Sequence, residues 1–534
     1  MGGALLQLAA IGAQDVYLTG NPQITFFKMV YKRNTNYAME EHKIEFDGQV
    51  DFGKKVVCNI TRNGDLLSNI FLYVELPALT KKILLPGDQG YNEGINFTKG
   101  INNTTTTEKL NPEYVNQHSI ISWVNSIGHV LLEYVTIEIG GQQIDKQYGE
   151  WLEIWDELTL TKCKQIAYEN RMIGKYSRDE WYTKGIYENA LDLNLYIPLN
   201  FWFCRNIGLA LPLVALQYHE VKIYVKFNDF EKCWFNAHIN KKKGKPAIYY
   251  PSKKNIKRAY LLCNYIYLDT DERKKFAQTS HEYLIDQLQF NDPVTVSCNM
   301  RDTSINLEFN HPIKEIVWVG QKNNVKYTND WFNYSAEERI NVCNDDNISS
   351  LINENNLIDK KIYTYKYADI NEYQTNEYLF MNSFNTVTYS SMNTVLENIK
   401  KNILTTSSSQ EDSLEQYDIR CPTIGSSVLQ LNGIDRFSEQ HHKFFDTLQP
   451  YLRHSCIPRY GNIQVYSFCL EPEKMVPTGS CNFSRVDNAT LHLKINKICF
   501  CDETTSEFVD IRVYALNYNI LRIMSGMGGV AYTN

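Results

Sequence analysis

Two histidine-glutamate pairs, His219-Glu220 and His281-Glu282, come nearest in this chain to a metal-hydrolase motif. A zinc-protease helix needs a second histidine four positions after the first, so that both imidazoles face the ion. Those positions hold Ile223 and Ile285, and the pairs read as residues at strand or helix ends. Glu150, Glu153, Asp156 and Glu157 lie close enough in sequence to suggest a glycosidase, whose chemistry requires two carboxyls flanking one cleft. Helical spacing instead sets Glu153 and Asp156 at the edge of a tryptophan stripe, where they read as a solvated face. Cys499 and Cys501 share one face of a strand; a metal or a disulfide there is weaker than the reading of paired small core residues. No GxSxG elbow, GxxxxGK[ST] loop or GxGxxG fingerprint occurs, and the glycines at 525 to 529 read as a turning terminus. The sequence thus nominates no catalytic residue, no cofactor site and no metal ligand.

Charge directs the reading away from nucleic acid. The formal net charge of −7 denies the molecule the basic field that non-specific binding to phosphates needs. A local basic run, Lys241, Lys242, Lys243 and Lys245 followed by Lys253, Lys254, Lys257 and Arg258, reads as a solvated loop in preference to a polyanion or lipid-headgroup contact. Thirteen cysteines exclude an all-disulfide framework by parity and, with no CxxC pair, fit a reducing compartment. That compartment argues against ordinary secretory glycosylation at the sequons of Asn59, Asn96, Asn102, Asn103, Asn333, Asn347, Asn482 and Asn488. The opening MGGALLQLAAIGAQD has no basic residue before its apolar run and breaks at Gln14-Asp15, which predicts neither a signal peptide nor a membrane anchor. Myristoylation at Gly2 is disfavoured by Leu6, where the pattern requires Ser or Thr.

The elements that would carry any site are strands. Segments such as IFLYVEL (70 to 76), YVTIEIGG (134 to 141), EVKIYVKF (220 to 227), KEIVWVG (314 to 320), ATLHLKI (489 to 495) and FVDIRVYALNY (508 to 518) alternate sides as half-buried strands do. A chain of 534 residues, 43% apolar, exceeds one core and predicts two domains. Two segments carry helical spacing: Ile144 to Leu158 and Ile434 to Leu448, which align without gaps at an offset of 290. Trp151, Ile154, Trp155 and Leu158 define one face, matched by His441, Phe444, Phe445 and Leu448, with Asp145 and Asp435 as N-caps. The alignment predicts that Trp155 and Phe445 are buried at equivalent places. Strand, helix and strand recur in both halves, so one β-sandwich unit occurs twice. Long polar segments fall at 80 to 118, 229 to 258 and 321 to 420.

The stretch GAQDVYLTGNPQITFFKMVYKRNTNYAMEE resembles the N-terminal signature of the major capsid proteins of nucleocytoplasmic large DNA viruses. RHSCIPRYGNIQVYSFCLEPEKMVPTGSCNFSRVDNATLHL resembles their second jelly roll, and FNHPIKEIVWV a strand between the two. The resemblance implies an all-β fold of two consecutive eight-stranded jelly rolls with short helices and long loop insertions. The expected division is an arm at 1–20, a first roll at 21–275, and a second at 276–534 carrying an outward-facing insertion at about 321–420. It further implies a homotrimeric, pseudo-hexagonal capsomer in an icosahedral virion shell, assembled in the host cytoplasm or viral factory. The implied partners are other copies, minor capsid and penton proteins, and the internal viral membrane through membrane-associated proteins, with no direct nucleic-acid contact. A transient poxvirus-type scaffold and a carbohydrate-active β-sandwich enzyme are the competing readings.

Overall fold

The alternation of EVKIYVKF becomes strict in-and-out burial along Val221–Phe227 in the computed structural model, with Val221, Ile223, Val225 and Phe227 inward. The structure describes residues 3–29, 32–79, 96–99, 106–109, 121–177, 181, 188–236, 253–297, 302–323, 325, 329–335, 422–459, 462–496 and 508–533. The 80 to 118 segment is described only at 96–99 and 106–109, and the cores of the other two long segments lie outside these residues. So do Lys241 to Lys245, Cys499, Cys501 and the sequons at Asn102, Asn103 and Asn347.

Eight strands of the first half form two antiparallel sheets: β1 (Tyr37–Glu45), β2 (Lys55–Asn59), β3 (Leu66–Leu76), β4 (Leu132–Ile139), β5 (Gln142–Tyr148), β6 (Leu193–Pro198), β7 (Val221–Phe227) and β8 (Arg258–Leu268). Their orders are β1-β8-β3-β6 and β2-β7-β4-β5. The second half supplies β9 (His281–Ser297), β10 (Asp302–Asn306), β11 (Pro312–Lys322), β12 (Ile424–Leu431), β13 (Ile434–Asp435), β14 (Ile463–Ser467), β15 (Ala489–Ile495) and β16 (Phe508–Met524), ordered β9-β16-β11-β14 and β10-β15-β12-β13. The second topology is the first with every strand advanced by eight, which is a duplicated jelly roll. Each sandwich encloses its own core, around Leu72, Ile137, Ile223 and Leu261 in one and around Trp318, Phe445, Leu491 and Ile511 in the other. The 80 to 118 and 321 to 420 segments fall in the same connection, from β3 to β4 and from β11 to β12.

The hairpin turns set the register of the repeat. Gly140 and Gly141 (φ 60° and 83°) join β4 to β5, and Asn432 and Gly433 (φ 50° and 77°) join β12 to β13. Both are left-handed pairs suited to a two-residue hairpin. Position 140 thus matches 432 and 141 matches 433, an offset of 292 and not the 290 expected from side-chain identities. The helical expectation is corrected in the same way. Ile144 to Tyr148 complete β5, and the helix runs only over Gly149–Thr159. In the second half a π-helical turn, Phe444–Leu448, precedes a short helix, Gln449–Arg453. Asp145 and Asp435 lie in strands and cap nothing. Of the matched face, Phe445 alone is fully buried; His441 and Leu448 are exposed.

The seam between the sandwiches and the candidate assembly surfaces

Between the two cores lies a third apolar cluster, and one helix builds it. We label the helices α1 (Ile127–Val130), α2 (Gly149–Thr159), α3 (Lys162–Tyr168), α4 (Thr270–Gln278) and α5 (Gln449–Arg453). Trp151, Ile154, Trp155 and Leu158 of α2 pack on the outer face of the second sandwich, against Val317, Val319, Ile463, Val465, Tyr514 and Leu516. Trp155 and Phe445 are therefore both buried but not at equivalent places: Trp155 is a seam residue, and Phe445 fills the second core against Trp318 and Phe437. At the start of α2, Glu150 meets Arg512 (2.7 Å) and accepts hydrogen bonds from Tyr514 (2.5 Å) and Tyr334 (3.1 Å).

The carboxylates expected on a solvated face lie inside the molecule. Glu153 meets His129 at 2.7 Å and Lys175 at 2.7 Å; Lys175 also pairs with Glu157 and, at 3.5 Å, with Glu169. Asp156 accepts from Tyr168 and lies 3.4 Å from His129. Arg459 reaches in from the second sandwich to Glu157 and Glu169, and its backbone N–H donates to Glu157. Burial alone would raise Glu153, but Lys175 and His129 outweigh it and hold the carboxyl well below its ordinary value. For Asp156 burial prevails, and its pKa rises. The helical period was right, but on an element packed on both sides even the polar stripe has to be neutralised by partners.

Two more buried contacts tie the halves together. Arg205 of the first sandwich pairs with Asp286 of β9 at 2.9 Å, and the fully buried Lys314 of β11 meets the same oxygen at 3.0 Å. Asp145 accepts the backbone N–H of Leu288 at 3.0 Å; burial pushes its pKa up to about 6 against that bond, Gln147 and Arg205. The cleft beside it, lined by Gln142, Lys146, Gln287, His311 and Tyr532, holds Asp145 as its one carboxylate. A glycosidase pair would need a second.

His454, at the end of α5, meets Glu315 at 2.9 Å and Glu473 at 3.3 Å. Burial lowers its pKa, but the two carboxylates prevail and hold it at about 9. A histidine raised in the folded state contributes stability that is complete below its unfolded value of about 6.5 and lost as pH rises through the folded one. Thermal melts from pH ~7 to ~9.5 should therefore show a falling Tm that His454→Gln flattens. Equal slopes in the two proteins would remove His454 as the cause.

Of the other nominated residues, His219 bonds Gly528 at a loop end, and His281 opens β9. Lys257 pairs with Glu75 and Asp192, and Arg258 with Glu45, so this end of the basic run is neutralised. The eight described cysteines are free. Residues 3–29 project with Leu5, Leu6, Leu8, Leu18, Phe26, Phe27 and Met29 all exposed, and their described hydrogen bonds stay within the arm. The exposed arm thus continues past residue 20, through Met29.

A family model described as the N-terminus of the major capsid protein matches residues 25–269, and one for the large eukaryotic DNA virus major capsid protein matches 272–529. The chain is 37% identical to the major capsid protein of Chrysochromulina ericina virus and 34% identical to that of Paramecium bursaria Chlorella virus 1, covering all of both chains in each case. Its structure matches a quasi-atomic model of the PBCV-1 virus capsid with a TM-score of 0.62 at 28% identity, over 96% of this chain and 100% of that one. The faustovirus major capsid protein, at 13% identity and a TM-score of 0.60, shares the fold. Two jelly rolls of identical strand order, locked by a buried seam, and similarity along the whole chain establish that this protein belongs to the major capsid proteins of large eukaryotic DNA viruses, which form the virion shell.

Proposed function

We propose that the chain builds the icosahedral shell as a homotrimeric capsomer, three copies placing six jelly rolls in a pseudo-hexagonal ring. The observation that carries this is the seam. Two topologically identical sandwiches are held at one fixed angle by apolar packing and buried ion pairs, and a fixed angle repeated between copies closes a ring, whereas a hinged pair would not. On this reading the protein acts by association and not by catalysis. Minor capsid and penton proteins, and an internal membrane reached through membrane-associated proteins, complete its partners. We divide the chain into an arm (1–20, with exposed apolar chain continuing to Met29), a first roll to 275 and a second from 276. The outward-facing insertion expected at about 321–420 lies, from 336 onward, outside the described residues. Its beginning is fixed to the body, however. Strand β11 runs through Lys322, Asn329 donates to the carbonyls of Glu231 and Trp234, and Trp331 donates to that of Lys232. Light scattering on the purified protein should give three times the 62.1 kDa chain mass. A monomer at micromolar concentration would contradict the trimer.

A further inference from the structure

The two sandwiches carry the same outer face, and among the described residues only one of them is covered. In β16 the residues Arg512, Tyr514 and Leu516 point outward; in β8 the residues Arg258, Tyr260 and Leu262 occupy the same alternate positions. Cross-strand partners confirm the equivalence. Tyr514 stands opposite Val317 and Arg512 opposite Val319; Tyr260 stands opposite Tyr73 and Arg258 opposite Glu75. The next strand places Val465 beside Val317 and Tyr196 beside Tyr73. On the second sandwich this face is closed by α2, the crossover that follows β5, with Glu150 bonded to Arg512 and Tyr514. On the first, Phe71, Tyr73, Tyr260 and Leu262 are half-buried at the surface and Tyr196 is 39% exposed, with Tyr73 at the centre of an aromatic patch 4.6 Å from Tyr260 and 5.0 Å from Tyr196.

The crossover that follows β13 is the counterpart of α2. While Phe445 points into the second core, three of its apolar side chains face solvent: Leu448, Tyr451 and Leu452 are 43%, 70% and 54% exposed. A bare sheet face and a bare apolar helix at positions that touch each other inside the chain are the two halves of a head-to-tail contact. We propose that the Leu448–Leu452 crossover of one copy covers the Phe71, Tyr73, Tyr196, Tyr260 and Leu262 face of the next. The seam within the chain and the seam between chains then share one geometry, with Tyr260 lying under the partner as Tyr514 lies under α2. This rests on the trimer reading and names its contact.

The test uses full-length protein carrying Tyr196→Glu or Tyr451→Glu, one substitution on each half of the contact. Both side chains are exposed in the single chain, so folding is spared, and circular dichroism melts check that. Light scattering should show the mass fall from three chains to one for each variant at concentrations where the unsubstituted protein is trimeric. Trimers persisting in both variants would overturn this contact while leaving the trimer intact. Monomers from the unsubstituted protein would overturn the trimer reading itself. If one variant fails to fold, the other decides.

Discussion

Lys175→Met is expected to destabilise the protein by about 3–5 kcal/mol, because it strands buried carboxylates that lose their shared cation. The Lys175 ammonium is buried and meets Glu153, Glu157 and Glu169 at once. Burial by itself would drive the lysine towards its neutral form; the three carboxylates outweigh it and raise its pKa. Removing that cation leaves Arg459, half-exposed at the rim, and His129 to balance Glu153, Asp156, Glu157 and Glu169. Chemical denaturation should show the loss as a lower midpoint, and Lys175→Met combined with Glu153→Gln and Glu157→Gln should recover part of it. Glu153 and Glu157 are both depressed in the folded state, so their stabilisation is present above the ordinary glutamate value of about 4.3 and lost as pH falls below it. The Lys175→Met protein should consequently lose less stability than the parent on acidification. A cost below ~1 kcal/mol would mean that the carboxylates neutralise themselves by taking up protons.

Phe445→Ala should cost a similar ~3–5 kcal/mol, by a different route: a cavity opened in a close-packed interior. Phe445 is fully buried, with ring centroids 5.0 Å from Trp318, 5.0 Å from Phe444 and 5.3 Å from Phe437. Those neighbours come from different elements, so the site cannot collapse on one side without disturbing β11. Calorimetry should show the second sandwich melting earlier. Trp155→Ala, which touches the seam and not either core, should instead uncouple the halves and broaden or split the transition. If both variants melt in one unchanged transition, neither side chain carries the packing described.

Strand-level alternation made the architecture legible. The burial of β3, β7 and β15 follows residue type almost position by position, because each has one apolar face and one polar or aromatic one. What periodicity could not disclose was which helix would be buried on both sides. Glu153 and Asp156 are polar at positions that an amphipathic reading assigns to water, yet His129 reaches both, from 24 residues before Glu153, and Lys175 reaches Glu153 from 22 residues after it. No local pattern announces such partners. The register error has a plainer cause: Ile, Asp and Leu identities at 290 outscored the two turn pairs at 292, although Gly140-Gly141 and Asn432-Gly433 are the residues that a tight hairpin demands. A second signal was present and unused. Arg258-Ala259-Tyr260-Leu261-Leu262 and Arg512-Val513-Tyr514-Ala515-Leu516 repeat Arg, Tyr and Leu at alternate positions of the strand, and the outer faces of both sandwiches could have been aligned from it.

That α2 lies on the second sandwich of its own chain sets an order of events. A contact tethered through the chain operates at an effective concentration of roughly millimolar, set by the connecting backbone and not by how much protein the cell has made. This seam therefore closes during the folding of each molecule, at any dilution. A contact between separate molecules has no such tether, and a ring of three depends on the cube of the free-subunit concentration. Under the proposed trimer, newly made chains would accumulate as finished single units and then convert to rings over a narrow range of abundance, which would keep shell growth silent until supply is sufficient to sustain it.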